Sequence, residues 1–351
     1  MRIILSGGGT IGSVSPLVAV FEEIKALKPE TQFLWLSTRK GKEIKLISAY
    51  NIPLKKIFAG KFRRYFSFRN FIDPVFIFLG FCQSVFFILS FKPDVIVSAG
   101  GFVAVPLVWA AKIFRVKVLI HQQDVRPGLA NLLMARFATK ITVTFEKSIK
   151  DFFVKKTIWI GNPVRSDILA GDKNRAIQNF GLENNLPTLL VIGGGTGSEV
   201  INKLIVSALP ELTKFCQVIH LTGGRMSDVP SASRYHPFEF LTEEMKDAYA
   251  MSDLVVSRAG MSVLTELSAL AKPAVVIPIA NNHQEDNASE FLKQNAIILA
   301  EESSLNPEGF IQSIKELISN PAQLKYLSQN INSVIPPGAT QKMTEIILSM
   351  I

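Results

Sequence analysis

Ile3-Ile4-Leu5-Ser6-Gly7-Gly8-Gly9-Thr10-Ile11-Gly12 and Leu190-Val191-Ile192-Gly193-Gly194-Gly195-Thr196-Gly197 are two versions of one signal, about 185 residues apart. In each, a short apolar run leads straight into a glycine cluster. An apolar run of this length reads as a buried strand, and a helical pattern follows each cluster. Glycines there let the backbone approach a ligand closely, and the N-terminus of the next helix favours an anion. One such loop is weak, because glycine turns end many strands for structural reasons alone. Two of them predict an α/β chain of two Rossmann-like domains with a ligand in the cleft between them.

The rest of the chain carries the same alternation. Strands are predicted at 32–36, 94–98, 116–121 and 140–144 in the first half. Helical patterns fall between them, at 14–27, 41–50, 105–114 and 128–137. In the second half strands are predicted at 189–192, 217–221, 239–241, 254–257 and 274–278. This βα order predicts mainly parallel sheets covered on both faces. Ile158-Trp159-Ile160-Gly161-Asn162-Pro163 breaks the pattern and is the expected boundary. Domains are therefore expected at 1–162 and 163–337, with a last helix in 338–351 crossing back onto the first domain.

With 351 residues, each half can bury a core of its own. The two cysteines, Cys82 and Cys216, make no disulfide framework and no zinc spacing, which points to a reducing, cytosolic setting. The chain opens on a strand with no signal-peptide pattern. The net charge of +9 is unevenly spread. Residues 1–162 hold 24 Lys and Arg against 9 Asp and Glu, whereas 163–351 hold 14 against 20. The basic half is expected to face something anionic. No nucleic-acid-binding motif accompanies the charge, and an anionic membrane surface fits better.

Phe71–Phe91 reads FIDPVFIFLGFCQSVFFILSF, with Asp73 as its one charge. Lys61, Arg63, Arg64 and Arg69 precede it among aromatics. Its length nearly suits a transmembrane helix. However, Pro74 and Gly80 interrupt it, and a span here would split a Rossmann-like domain. A buried core helix is a second reading. An interfacial helix dipping into lipid headgroups, with basic neighbours on anionic lipid, is the third and fits best. The last two are compatible if one face is core and the other meets the membrane. Arg63, Arg64, Phe76 and Phe87 are the expected membrane contacts.

Three polar motifs follow predicted strands, and a fourth sits at the expected hinge. In Ser257-Arg258-Ala259-Gly260-Met261-Ser262, Gly260 and Ser262 suit a helix N-terminus that meets a phosphate, and Glu266 one turn later suits ribose hydroxyls. A capping or surface role explains Glu266 equally simply. Asn282-His283-Gln284-Glu285-Asp286-Asn287 offers the amides of Gln284 and Asn287 to sugar hydroxyls, or plain helix capping. His121-Gln122-Gln123-Asp124 ends a strand where open sheets place ligand groups, and Asp124 could accept a proton, although a loop cap is the commoner role for such a residue. In Gly161-Asn162-Pro163-Val164-Arg165, the guanidinium fork of Arg165 could reach a diphosphate, although a surface ion pair is the commoner role. There is no Asp-x-Asp, zinc spacing, P-loop or Gly-x-Ser-x-Gly motif. No metal or cofactor is expected. A metal-free route must neutralise a leaving diphosphate with helix N-termini and arginine.

Taken in order, GGGTIGSVSPLVAV, KPDVIVSAGGFVAVPLVWAAK, HQQDVRPGLAN, IGNPVR, VIGGGTGS, DLVVSRAGMSVLTEL and HQEDNA resemble the MurG-type N-acetylglucosaminyltransferases of bacterial cell-wall synthesis. The resemblance covers nearly the whole chain and implies the GT-B fold. It implies inverting transfer of N-acetylglucosamine from UDP-N-acetylglucosamine to lipid I, an undecaprenyl-diphosphate-linked acceptor, giving lipid II. It also implies a peripheral enzyme on the cytoplasmic face of the plasma membrane. By position, Gly195 and Thr196 would lie at the donor diphosphate. Met261, Ser262, Val263, Leu264, Thr265 and Glu266 would wrap uridine and ribose. Thr242 would lie near the base, Gln284 at the sugar and Arg165 at the diphosphate. Thr10, Ile11 and Gly12 would lie near the acceptor diphosphate and the reacting centre.

The departures from the family fall where chemistry is expected. Ser13 stands at the position of the family's loop histidine, and Gln122 at that of its glutamate. Gly195 stands where serine is common. Unaided serine is no base at neutral pH, and glutamine is none at all. An acceptor hydroxyl attacking an oxocarbenium-like carbon still benefits from a base, and Asp124 is the candidate. The alternatives are a same-fold transferase acting on another lipid and a sugar-nucleotide binder that has lost catalysis. A nonhydrolysing epimerase shares the architecture, but no motif favours it.

Overall fold

The computed structural model describes residues 1–9, 12–39, 41, 43–60, 69–195, 197–226 and 228–351. The chain divides into two compact units, Met1–Arg165 with Pro336–Ile351, and Ser166–Ile335.

In the first unit the order is β1 (Arg2–Ser6), α1 (Ser15–Leu27), β2 (Gln32–Ser37), α2 (Glu43–Ala49), β3 (Leu54–Lys56) and α3 (Arg69–Phe91). It continues with β4 (Val95–Ser98), α4 (Ala104–Ile113), β5 (Lys117–Gln122), α5 (Leu129–Ala135), β6 (Lys140–Val143) and β7 (Thr157–Trp159). All seven strands are parallel, in the order β3-β2-β1-β4-β5-β6-β7. Central strands buried on both faces read as unbroken apolar runs, and Ile3, Ile4 and Leu5 are wholly buried. One face of the sheet packs on α1 through Leu17, Val18 and Ile24. The other packs on α3, α4 and α5 through Ile88, Leu107, Val108 and Met134.

The second unit runs α6 (Lys173–Phe180), β8 (Thr188–Ile192), α7 (Glu199–Leu212), β9 (Gln217–Leu221), β10 (Tyr235–Phe238), α8 (Met245–Met251) and β11 (Leu254–Ser257). Then follow α9 (Met261–Ala269), β12 (Ala274–Val276), α10 (His283–Leu292), β13 (Ile298–Leu299), α11 (Pro307–Ile318) and α12 (Pro321–Val334). Its six parallel strands have the order β10-β9-β8-β11-β12-β13. Helix α13 (Ala339–Ser349) belongs to the first unit: Met343, Ile347 and Met350 join the core beneath α1. Thr340 Oγ1 donates to Val164 O at 3.1 Å and accepts from Val164 N–H at 3.2 Å, which fixes the return of the chain.

Three expectations need correction. The stretch at 158–160 is not a plain break, because Thr157–Trp159 adds β7 to the sheet edge, and the Trp159 indole donates to Thr144 O. The strand expected at 239–241 lies earlier, at Tyr235–Phe238, where it pairs with β9. Pro74 and Gly80 do not interrupt the apolar stretch, since α3 is continuous through both. Gly80 is where α3 touches the loop after β3: a Cβ there would collide with Phe58 O.

The structure also sets the phase of α3. Ile72, Val75, Phe78, Leu79, Phe86 and Leu89 are exposed, at the three- and four-residue spacing of one helical face. Ser84 and Ile88 are buried, while Phe81, Val85, Phe87 and Phe91 are half-buried against the core. Phe76 is half-buried and stacks on Phe58 at 5.6 Å between centroids. Among the described rings of α3, Phe78 and Phe86 are therefore exposed, whereas Phe76 and Phe87 lean inward. Arg63 and Arg64 lie outside the described residues. Among the described residues, α3 alone is long and apolar enough to cross a membrane by length and composition. Its inner face nevertheless belongs to the core of the first unit, packed on α4.

Candidate active site

In an open parallel sheet, a crevice opens beyond the carboxyl ends of the strands where the strand order reverses. In the first unit that reversal falls between β1 and β4. The loops leaving these two strands are the glycine clusters at 7–9 and 100–101. They touch main chain to main chain: Gly101 has φ +89°, and a Cβ there would lie 2.6 Å from Gly8 O. The indole of Trp35 donates to Gly7 O at 3.1 Å and anchors the first loop from beneath. Gly12 is half-buried in the turn before α1, and Ser13 is buried beside it. Thr10 and Ile11 lie outside the described residues.

Next to β4, strand β5 ends in the His121–Asp124 motif. His121 is wholly buried, with Nε2 2.8 Å from Asn162 Oδ1 and Nδ1 3.0 Å from Thr142 Oγ1. Burial lowers its pKa to about 4 against the opposing pull of these two bonds, so the ring is neutral. It is a structural tie from β5 to β6 and to the segment after β7, not a surface base.

Gln122 is also internal. Its Nε2 donates to Asp124 O at 2.8 Å and to Arg126 O at 3.3 Å, and its Oε1 accepts from Asn131 Nδ2 at 2.7 Å. A glutamate in the same place would turn a carboxylate toward two carbonyl oxygens. The departure at 122 is thus built into the loop that carries Asp124. Asp124 is half-buried two residues beyond β5. It stands on the same sheet edge as Ser13, with the β4 loop between their strands. Arg165 is buried, and its Nη1 donates to the Tyr50 hydroxyl at 3.1 Å. In this structure its guanidinium serves the first unit's packing.

In the second unit the order reverses between β8 and β11. The loop after β8 is the cluster 193–197, which feeds α7 with Ser198 as N-cap, its side chain accepting from Ile201 N–H. The loop after β11 is Arg258-Ala259-Gly260, which feeds α9 with Gly260 as N-cap. Two helix N-termini therefore open on one crevice, each with the partial positive charge that suits a phosphate. Gly195 is half-buried in that loop, and Thr196 lies outside the described residues.

Along α9, Ser262 and Val263 are half-buried, whereas Met261, Leu264 and Thr265 point inward. Leu264 is wholly buried, so it has only its main chain to offer a ligand. Glu266 is buried and accepts from the Tyr249 hydroxyl at 2.9 Å, which orients its carboxylate. Gln284 is half-buried, and its Oε1 accepts from Ile279 N–H at 3.2 Å. Asn287 is fully buried, and its Nδ2 donates to Ala259 O, so it supports the loop before α9 instead of facing sugar. Thr242 is exposed in the loop after β10.

Arg258 is a structural tie that its motif alone does not single out. It is buried, and its guanidinium joins three segments. Nη1 donates to Ile277 O and Pro278 O at 3.1 and 3.2 Å, and Nη2 reaches Ser198 Oγ at 2.8 Å and Glu302 Oε1 at 2.9 Å. The bond from Arg258 holds the Glu302 pKa below the usual carboxylate value. The position is visible in Ser257-Arg258-Ala259-Gly260, but its distant partners are not. Among the described residues no three His, Cys, Asp or Glu side chains gather as a metal would require.

Comparison with known families agrees with this architecture. Residues 3–143 match the glycosyltransferase family 28 N-terminal domain, and residues 188–346 match the glycosyltransferase family 28 C-terminal domain. The chain is 38% identical over 343 residues to a UDP-N-acetylglucosamine–N-acetylmuramyl-(pentapeptide) pyrophosphoryl-undecaprenol N-acetylglucosamine transferase of Clostridium perfringens, covering 96% of this chain and 95% of the relative. It is 35% identical over 352 residues to the protein of the same name from Clostridium kluyveri, covering 99% and 98%. Among solved structures it resembles Acinetobacter baumannii MurG, with a TM-score of 0.73 and 24% identity over 99% of both chains. A UDP-GlcNAc 2-epimerase from Neisseria meningitidis, bound to UDP-GlcNAc, shares the fold at a TM-score of 0.71 and 14% identity, with 99% and 100% covered. The chain belongs to glycosyltransferase family 28, in its MurG branch.

Proposed function

We propose that this enzyme transfers N-acetylglucosamine from UDP-N-acetylglucosamine to lipid I, giving lipid II for peptidoglycan. The carrying observation is that each unit has its glycine loop at the strand-order reversal, in a chain that matches MurG-type transferases over nearly its whole length. The second unit is the donor side. The first turns of α7 and α9 receive the diphosphate, and Glu266, held by Tyr249, accepts the ribose hydroxyls. Ser262 and Val263 border the uridine, Thr242 the base and Gln284 the sugar. The first unit is the acceptor side, with the lipid diphosphate at the loops after β1 and β4.

The reaction is a single displacement. The acceptor hydroxyl attacks the anomeric carbon as the bond to the diphosphate oxygen breaks, and UDP leaves with the electron pair. Configuration inverts, and Asp124 takes the hydroxyl proton. The charge on the leaving diphosphate meets helix N-termini, so the route needs no metal. General-base assistance is typically worth about 10²–10⁴-fold, so Asp124→Asn is expected to lower kcat by that factor with UDP affinity unchanged. Undiminished transfer by this variant would reject the base assignment.

The enzyme works at the cytoplasmic face of the plasma membrane as a peripheral protein. The exposed stripe Ile72, Val75, Phe78, Leu79, Phe86 and Leu89 supports this reading, on a half-chain with 24 basic against 9 acidic residues. An apolar face flanked by positive charge suits an anionic lipid surface.

A further inference from the structure

We propose that Glu43 is a positioning residue that latches the first glycine loop for the acceptor step. This rests on the function proposed above. Glu43 is the first residue of α2 and is 1% exposed. Its Oε1 accepts from Gly9 N–H at 2.9 Å, from the Thr38 hydroxyl at 2.7 Å and from the Ser37 hydroxyl at 3.3 Å. Its Oε2 is buried and has no partner among the described residues. A carboxylate out of water is costly unless donors converge on it, and here three converge on one oxygen.

The arrangement has a chemical consequence. The strand-loop-helix signature suggests that the first loop offers its N–H groups to an anion. Instead Gly9 N–H points inward, to a carboxylate of the protein's own. Glu43 thus ties Gly8-Gly9 to the end of β2. On its other side Gly8 meets Gly101, and Gly9 lies against the Phe102 ring. The latch therefore holds the loops after β1 and β4 as one pad. The acceptor diphosphate is received by the remaining groups of that pad and not by Gly9 N–H.

The test uses the full chain as wild type, Glu43→Ala and Glu43→Gln. It measures transfer from labelled UDP-N-acetylglucosamine to a short-chain lipid I analogue. A misplacement of about 1 Å at a reacting centre costs on the order of 10²-fold. Glu43→Ala should therefore lose roughly 30- to 100-fold in kcat/KM for the acceptor. Glu43→Gln keeps an oxygen for Gly9 N–H and should retain roughly fivefold more activity than Glu43→Ala, since one hydrogen bond to backbone is worth about that ratio. Calorimetric affinity for UDP should be unchanged in both variants. Amide exchange in residues 5–14 should quicken in Glu43→Ala.

Glu43→Ala within threefold of wild type (about 0.6 kcal/mol) would overturn the latch. A parallel loss of UDP affinity and unfolding midpoint in both variants would overturn it too, in favour of a general role in folding. A wild-type protein that transfers nothing to the analogue would instead overturn the lipid I reading. Amide exchange would then decide the latch alone, and unchanged exchange in Glu43→Ala would sink it.

Discussion

Replacing Arg258 by methionine should loosen the donor side as a unit. Methionine keeps an unbranched apolar stem but removes every donor. Two carbonyls, at Ile277 and Pro278, lose their bonds, as do the Ser198 hydroxyl and the Glu302 carboxylate. The carboxylate decides the size of the effect. The Glu302 side chain is 20% exposed and the Arg258 side chain 8% exposed, so the ion pair is largely out of water. Removing one partner of a buried pair typically costs about 3–5 kcal/mol. Because Glu302 keeps some access to water, the lower end, about 3 kcal/mol, is expected in denaturant unfolding of the second unit. Arg258 Nη2 helps fix Ser198, the N-cap of α7, so UDP binding should weaken as well, by roughly 3- to 10-fold, the worth of about one hydrogen bond. In Arg258→Met with Glu302→Gln no carboxylate is orphaned, and roughly 1–2 kcal/mol of the loss should return. The assay is urea unfolding of the four members of the cycle, with UDP calorimetry on each. Arg258→Met within about 0.5 kcal/mol of wild type and with unaltered UDP affinity would refute the reasoning.

Tyr249→Phe removes the hydroxyl that donates to Glu266 Oε2. Calorimetry should show UDP affinity down by roughly 3- to 10-fold, an effect of about 1 kcal/mol, and unchanged affinity would argue against Glu266 as the ribose partner. For the membrane face, burial of a phenylalanine is worth about 1.5–3 kcal/mol. Phe78→Asp with Phe86→Asp should lower co-sedimentation with anionic vesicles by about 10²-fold or more at an unchanged unfolding midpoint. Phe76→Asp with Phe87→Asp should chiefly destabilise the fold, because these rings lean inward. Equal vesicle binding by the first pair and wild type would remove α3 from the contact. Burial lowers the pKa of both His121 and His220 to about 4. Unfolded, each would titrate near its ordinary value of 6.5, so below that pH the unfolded chain takes up protons that the native chain refuses. Stability should thus fall as pH drops from about 6.5 to 4, by roughly 3 kcal/mol for each histidine. Comparing urea unfolding of wild type and His220→Gln at pH 7 and 4.5 isolates one of them. The variant's stability should depend less steeply on pH, and identical dependence would contradict the assignment.

The strands flanking the glycine loops were legible because a strand buried on both faces must be apolar throughout. The loops were legible because a glycine cluster directly after such a strand marks backbone that must turn tightly where a side chain would clash. The short edge strands were not. In β3, half-buried Leu54 is followed by two exposed lysines, and β7 has three residues, too few for a period to register. On α3 the failure was one of phase: apolar residues occupy every face, so nothing in the pattern distinguishes Phe78 from Phe76. Site residues whose role is to hold others were invisible for a further reason. Arg258 finds Glu302 44 residues away, and Glu43 finds Gly9 34 residues away. Such pairings follow from the strand order, which sets the ends of β1 and β2 side by side and brings those of β11 and β13 to one edge of their sheet, with β12 between them. Gln122 has a role that its residue type alone does not disclose. Read alone it was a lost acid, whereas its amide proves to be what ties down the loop bearing Asp124.

The most direct measurement is transfer itself. Purified protein would be incubated with labelled UDP-N-acetylglucosamine and a short-chain lipid I analogue in EDTA, with the product resolved by chromatography. A labelled disaccharide lipid, formed without added metal and lost in Asp124→Asn, is the expected result. UDP binding by calorimetry with no labelled lipid, with or without magnesium, would contradict the assignment of lipid I as acceptor.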